Sequence, residues 1–308
     1  MRKLGVPNDD PIEVYDTCVA AVGQASIRHT YSINQLQMVE AVATFNAATT
    51  NACWTNLPRV PRGNSGVIVA GSLTKQLLVD LYDTYMVGAT GHSRKIYDDI
   101  LVAGGGLCAF CGGLGQVCTL DHYLPKAHFP LYSILPANLI PCCRDCNTGK
   151  ASTFGTQIHE QTLNPYLDDN KFFVQRWVSA EVSRTNPIVL TFKCSPSSGW
   201  PSTDQLRVKQ HFTSYKLAYR FSVQAGAELA RLVDLRSNSL HTLPPESFRA
   251  YLFDNAGCTG FDLNGWSRTM YAALSETEWF WKVDFTNPDW HLVTAPINLR
   301  GESLIHPC

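Results

Sequence analysis

The chain has 308 residues, 45% hydrophobic and 17% charged, with a net charge of −1 and a pI near 6.7. This composition supports a sizeable core and excludes a largely disordered chain. The near-neutral balance excludes a protein that coats nucleic acid through overall basicity. No run of about 18 apolar residues reads as a membrane span. The start MRKLGVPNDDPIEV lacks the apolar segment of a signal peptide, so the expected setting is cytoplasmic, with no membrane partner.

In chain order, residues 1–103 are predicted as a helical N-terminal domain. Pro11–Val22, Ser32–Ala48 and Ser93–Ala103 read as helices, and Asn51–Gly71, rich in Pro, Gly and Asn, as a loop. Between them Ser72 is the expected N-cap of a helix with Leu78, Leu81, Tyr82 and Tyr85 at helical spacing, stopped by Gly88. Residues 104–165 are predicted as a separate metal-stabilised module, holding six of the 11 cysteines. Residues 166–308 are predicted as a C-terminal α+β region for partner or substrate binding. WVSAEV and PIVLTFKC read as strands joined by a turn at Arg184–Asn186, and Ser214–Leu235, Pro245–Phe253 and Trp266–Trp281 as helices. The fold class expected is α+β: a mainly helical chain around a small central module, with a few further strands.

Cys108-Ala-Phe-Cys111 and Cys143-Arg-Asp-Cys146 are two Cys-x-x-Cys turns with 31 residues between them. Each aims two thiolates at one point, and two together complete a closed, structural Zn²⁺ site. Gly112 and Gly113 suit a tight turn after the first pair. Four cysteines buried as small hydrophobes, or a redox Cys-x-x-Cys, are the competing readings. Cys142 competes with Cys143 as a ligand, but Cys143 alone has the two-residue spacing to Cys146.

Between the turns lies TLDHYLPKAHFP, in which Asp121 and His122 are adjacent. Alone, such a pair is commonly a surface turn or a satisfied hydrogen bond. Here LDHYLPKAHFP is followed by ANLIPCCRDCNTGK, and together they resemble the HNH endonucleases, ββα-metal nucleases with a flanking Cys₄ zinc site. Cys108, Cys111, Asp121, His122, Asn138, Cys143, Cys146, Asn147 and Lys150 carry the match, over about 45 of the 308 residues. Asn147 stands where some members have histidine.

The resemblance implies a metal-dependent endonuclease acting on DNA, by nicking or double-strand cleavage. It also implies the setting of bacterial anti-phage defence, beside an ATPase or sensor protein. His122 would be the general base, since its ordinary pKa near 6.5 lets it accept a proton from water at neutral pH. Asp121 and Asn147 would hold Mg²⁺ or Mn²⁺. Asn138 would pin the loop carrying His122, whereas ordinary loop capping is the bland alternative. For Asn147 that alternative is a helix N-cap. Consecutive strand residues point to opposite faces, so Asp121 and His122 converge only if the strand ends or bends there. Lys126, Arg144 and Lys150 are the module's basic residues and the expected contacts to backbone phosphate.

Further on, Arg207, Lys209, Lys216, Arg220, Arg231 and Arg236 form either a second DNA-facing surface or a solvated helix face. Trp279, Phe280, Trp281, Phe285 and Trp290 are a core cluster or a docking surface. Two other functions fit the same residues: a zinc-built module that binds nucleic acid or protein without hydrolysis, and an RNase using the same site.

Overall fold

The computed structural model describes residues 1–150 and 152–292. The chain begins with α1 (Pro11–Ala20), α2 (Ala25–Ile33) and α3 (Gln35–Thr49). Asp10 caps α1, its carboxylate accepting from the Ile12 and Glu13 amides at 2.8 and 3.1 Å, and Pro11 supplies the fixed φ of a first helical residue. The short hairpin β1 (Ile68–Ala70) and β2 (Leu73–Thr74) turns through Gly71 at φ +55°. Helix α4 (Lys75–Tyr82) is capped by Thr74 rather than Ser72; a single wide turn, Asp83–Val87, continues it to Gly88. Helix α5 (His92–Ala103) completes this half.

Next comes a compact strand–loop–strand–helix unit: β3 (Thr119–His122), β4 (Leu139–Cys142) and α6 (Arg144–Lys150). The remainder contains the short helix α7 (Lys171–Val174), the hairpin β5 (Val178–Val182) and β6 (Leu190–Cys194), then α8 (Ser202–Ser214), α9 (Leu217–Asn238), α10 (Pro245–Gly257), α11 (Trp266–Glu276) and α12 (Glu278–Lys282). Among the described residues the three sheets are antiparallel pairs, so the class is α+β with helix predominating, as expected. No helix among the described residues is long and apolar enough to cross a membrane.

The structure alters four sequence expectations. The helix expected over Ser32–Ala48 is preceded by a separate α2, and the expected loop at Asn51–Gly71 contains β1. The helix expected over Ser214–Leu235 is α9, which starts at Leu217 after a break at Lys216 with φ +52°, and an unexpected helix, α8, precedes it. No glycine or proline marks that break. The packing that accompanies it is tertiary: Tyr215 is buried flat against Phe110, with centroids 4.9 Å apart. Likewise the helix expected over Trp266–Trp281 is interrupted at the extended Thr277.

Burial does not follow the expected boundaries at 103 and 165. One apolar cluster joins Met1, Phe45 and Trp54 to Phe110, Tyr123, Trp177, Phe221 and Trp290. A second joins α1, α4 and α5 to Leu120, Ile134 and Leu139. The β3–β4 hairpin therefore contributes to both clusters, Leu120 and Leu139 to the second and Ile140 and Cys142 to the first. The C-terminal aromatics Phe280, Trp281, Phe285 and Trp290 are buried in the first. This placement matches the core reading for these four side chains.

Candidate metal centre and the Asp121–His122 site

The two Cys-x-x-Cys turns converge. The Sγ atoms of Cys108, Cys111, Cys143 and Cys146 all lie within 4.8 Å of one another, and all four residues are buried. A zinc ion with ligands at about 2.3 Å needs sulfurs about 3.8 Å apart, and Cys111 and Cys143 are 4.0 Å apart. The four thiols fit a structural metal such as zinc. Glycine builds the cradle: Gly112 and Gly113 have φ of +65° and +83°, and a Cβ on Gly115 would stand 2.5 Å from the Cys143 Cβ. Arg220 of α9 donates to Cys146 Sγ at 3.3 Å and reaches Cys143 Sγ at 3.8 Å, placing positive charge against thiolates that a metal would hold ionised.

Strands β3 and β4 pair antiparallel, with Asp121 opposite Ile140 and His122 opposite Leu139. Pro141 sits opposite Leu120; a two-stranded ladder tolerates a proline because one edge of each strand is unpaired. The close approach of α5 to this strand requires Gly104, where a Cβ would meet the Pro141 Cβ at 2.5 Å.

The loop from Tyr123 to Ala137 is held by Asn138, which is fully buried. Its Oδ1 accepts from the Leu124 amide at 2.7 Å, and its Nδ2 donates to the carbonyls of Tyr132 and Leu124 at 2.9 and 3.1 Å. These bonds fix the backbone immediately after His122. Asn138→Ala would orphan three buried backbone groups and is expected to cost about 3 kcal/mol, measured as a drop in the urea midpoint at unchanged m-value.

His122 ends β3. Its Nε2 lies 2.7 Å from the Ser133 carbonyl, and its ring meets Tyr82 edge-on at 4.3 Å. A carbonyl only accepts, so Nε2 carries the hydrogen and Nδ1 keeps the basic lone pair. Burial pushes the imidazole down to about 3; the Lys126 charge adds to this, while the Ser133 bond opposes it. The ring is therefore neutral at pH 7.

Asp121 points the other way. Lys150 of α6 donates to Asp121 Oδ2 at 2.8 Å and to the carbonyls of His122 and Tyr123 at 2.6 and 2.9 Å. Both side chains are buried. Burial raises the Asp121 carboxyl and the Lys150 ammonium opposes the rise. The two side chains of the Asp-His pair thus leave β3 on opposite faces, as strand alternation requires.

The basic residues fall out differently from the sequence reading. Lys150, expected at phosphate, is internal, with its ammonium hydrogens committed to three oxygens. Lys126 is partly exposed but paired with Asp83 and seated over the Tyr82 ring. Arg144, the first residue of α6, is exposed. Asn147 is half-buried and lies inside α6, one turn before Lys150, so it is not the helix N-cap.

The second basic surface dissolves. Arg207 forms a buried two-point ion pair with Asp168 at 2.7 Å, Arg220 faces the thiols, Arg236 donates to the Leu240 and Leu243 carbonyls, and Arg231 pairs with Glu228. Lys209, Lys216 and Arg231 are the exposed members of the six, and Arg231 is the one of these paired with a carboxylate. Ser133, 11 residues from His122, sits inside the motif's own loop, whereas Tyr82 and Arg220 escape motif reading because each reaches the site across a long stretch of chain. The same holds for a buried network behind the first cysteine turn, where His211 Nε2 bonds the Phe110 carbonyl at 2.7 Å.

Over 295 aligned residues the chain is 29% identical to "Protein ea31" of Escherichia phage lambda, covering 92% of this chain and 99% of that protein. No family model matches the chain. No solved structure matches it.

Proposed function

We propose that this chain is an HNH-type, metal-dependent endonuclease whose site is built on β3, β4 and α6. One observation carries the reading: His122 ends a strand anchored beside four convergent thiols, and its Nε2 is committed to a backbone carbonyl. In that tautomer Nδ1 is the nitrogen that would take a proton from water once substrate and metal bring water to the ring; the buried ring itself, held down to about 3, is a weak base.

Asn138 holds the loop after His122 so that the base does not wander. Asp121 Oδ1 and the Asn147 amide oxygen are the hard donors that would hold Mg²⁺ or Mn²⁺, with Asp121 Oδ2 kept by Lys150. That ion, when bound, would supply Lewis-acid polarisation at the scissile phosphate and leaving oxygen. Arg144, exposed at the start of α6, would touch backbone phosphate, and Lys126 would do so by releasing Asp83. Lys150 is reassigned from phosphate contact to positioning: it ties Asp121 to the backbone of His122 and Tyr123. The similar lambda protein is a phage protein, so the activity proposed is the chemistry alone, without the bacterial defence setting.

The capture of Asp121 by Lys150, and its departure from β3 on the face opposite His122 where the nuclease reading expects the two to converge, favour a second reading, in which the zinc-built module binds nucleic acid without cutting it. Supercoiled plasmid and a structured RNA, each incubated with Mg²⁺ or Mn²⁺, separate the possibilities. The nuclease reading expects metal-dependent nicking or linearisation of the plasmid. Cleavage of RNA alone would make the same site an RNase, and retention of either without cleavage would support the binding module.

A further inference from the structure

A cleft of about 320 Å³ opens between the start of β5, the C-terminal half of α10 and α11. These elements carry no residue of the Asp121–His122 site, so a ligand bound here would not depend on the nuclease assignment. Two arginines, Arg176 and Arg268, line the cleft, and Glu276 is the one carboxylate facing them. Arg268 is anchored by bonds from Nε to the Ala256 carbonyl at 2.9 Å and from Nη1 to the Phe261 carbonyl at 3.4 Å.

Arg176 is exposed, and it forms no salt bridge within 4.0 Å among the described residues. Partial desolvation first, and then the neighbouring Arg268 charge, lower its pKa, while the Glu276 carboxylate raises it. The lining thus carries two cationic groups against one carboxylate.

The same cleft is lined by Thr269, which is 2% exposed and whose Oγ1 is buried without a hydrogen-bond partner. A buried hydroxyl left unpaired is unfavourable, and a bound acceptor would relieve it. The remaining walls are small apolar side chains, and the Phe253 ring stands 68% exposed on the lining.

We propose that this cleft binds a nucleotide through its phosphate. Arg176 and Arg268 match a phosphate dianion better than a single carboxylate, because paired guanidiniums offer several fixed donors to several oxygens. Thr269 donates a further hydrogen bond. The volume exceeds that of phosphate alone, and an exposed ring beside apolar walls suits a base stacked on Phe253. The nucleotide is either free or the end of a strand.

Calorimetric titration of the full-length, zinc-loaded chain without Mg²⁺ tests this. The probes are inorganic phosphate, deoxyadenosine, dAMP and a 5′-phosphorylated tetranucleotide. The expected result is dAMP binding at least tenfold tighter than deoxyadenosine. It should weaken at least tenfold in Arg176→Gln and about threefold in Thr269→Val, whose Tm stays unchanged or rises. A tetranucleotide bound tighter than dAMP, and equally sensitive to Arg176→Gln, identifies a strand end; the reverse order identifies a free nucleotide. Absence of heat with every phosphate-bearing probe at millimolar concentration, or equal affinity in wild type and Arg176→Gln, would overturn the proposal. Arg176 is exposed and holds no structural bond, so loss of folding would not confuse the result.

Discussion

Cys146→Ser is expected to lower the bound zinc from one ion per chain to a labile fraction and to reduce the melting temperature by 10 °C or more. Closed zinc sites in small modules carry apparent binding energies on the order of 10 kcal/mol. That is comparable with the whole stability of a typical domain, about 5–15 kcal/mol. In this chain the loss would spread. The turn between Cys108 and Cys111 presents Ala109 and Phe110 to the main core, and Phe110 supports Tyr215 and His211. Releasing the metal would free the turn that positions α8 against α9, not only the β3–β4 hairpin. Chelation at equilibrium should reproduce the mutant's melting curve. Metal analysis showing no zinc in the purified wild type, with an unchanged melt for Cys146→Ser, would count against a structural metal.

The second large effect is expected from Lys150→Met. The substitution keeps the volume of the side chain but leaves Asp121 buried and unpaired, and the carbonyls of His122 and Tyr123 without a donor. Removing one partner of a buried pair costs about 3–5 kcal/mol, because the surviving charge stays desolvated. At roughly 2–4 °C per kcal/mol for a chain of this class, the melting temperature should fall by roughly 10 °C. Adding Asp121→Asn should restore about 2 kcal/mol, since the stranded charge is then gone. A cost below about 1 kcal/mol for Lys150→Met would mean that the ammonium is solvated and free to meet phosphate.

Much of the site was legible in the sequence because its signals are local. The two cysteine turns announce four thiols by spacing, and the structure brings those thiols together. The hairpin of β5 and β6 follows from its β-branched runs, whereas no strand signal is read at β3 or β4. What escaped was decided by long-range packing. Nothing in RDCNTGK says that Lys150 turns inward, since lysine is usually exposed and only the oxygens of residues 121–123, met from α6, offset the cost of its burial. Lys216 breaks a helix that its own residue type would continue. The arginines at 207, 220 and 236 look like a basic stripe in one dimension. In three they serve a buried carboxylate, a thiol cluster and a helix C-terminus. Composition changes near residues 104 and 165, while one apolar cluster draws side chains from both sides of each position.

The most direct test is the single-turnover rate of supercoiled-plasmid cleavage in Mn²⁺, compared between wild type and His122→Ala with zinc content and melting temperature verified in both. A positioned general base contributes about 10²- to 10⁴-fold. The predicted result is metal-dependent cleavage by the wild type, slowed at least a hundredfold in His122→Ala at full zinc occupancy. Cleavage at equal rates by both proteins would contradict the assignment of His122. Tight plasmid binding without cleavage by either would contradict the nuclease and leave the zinc-built binding module.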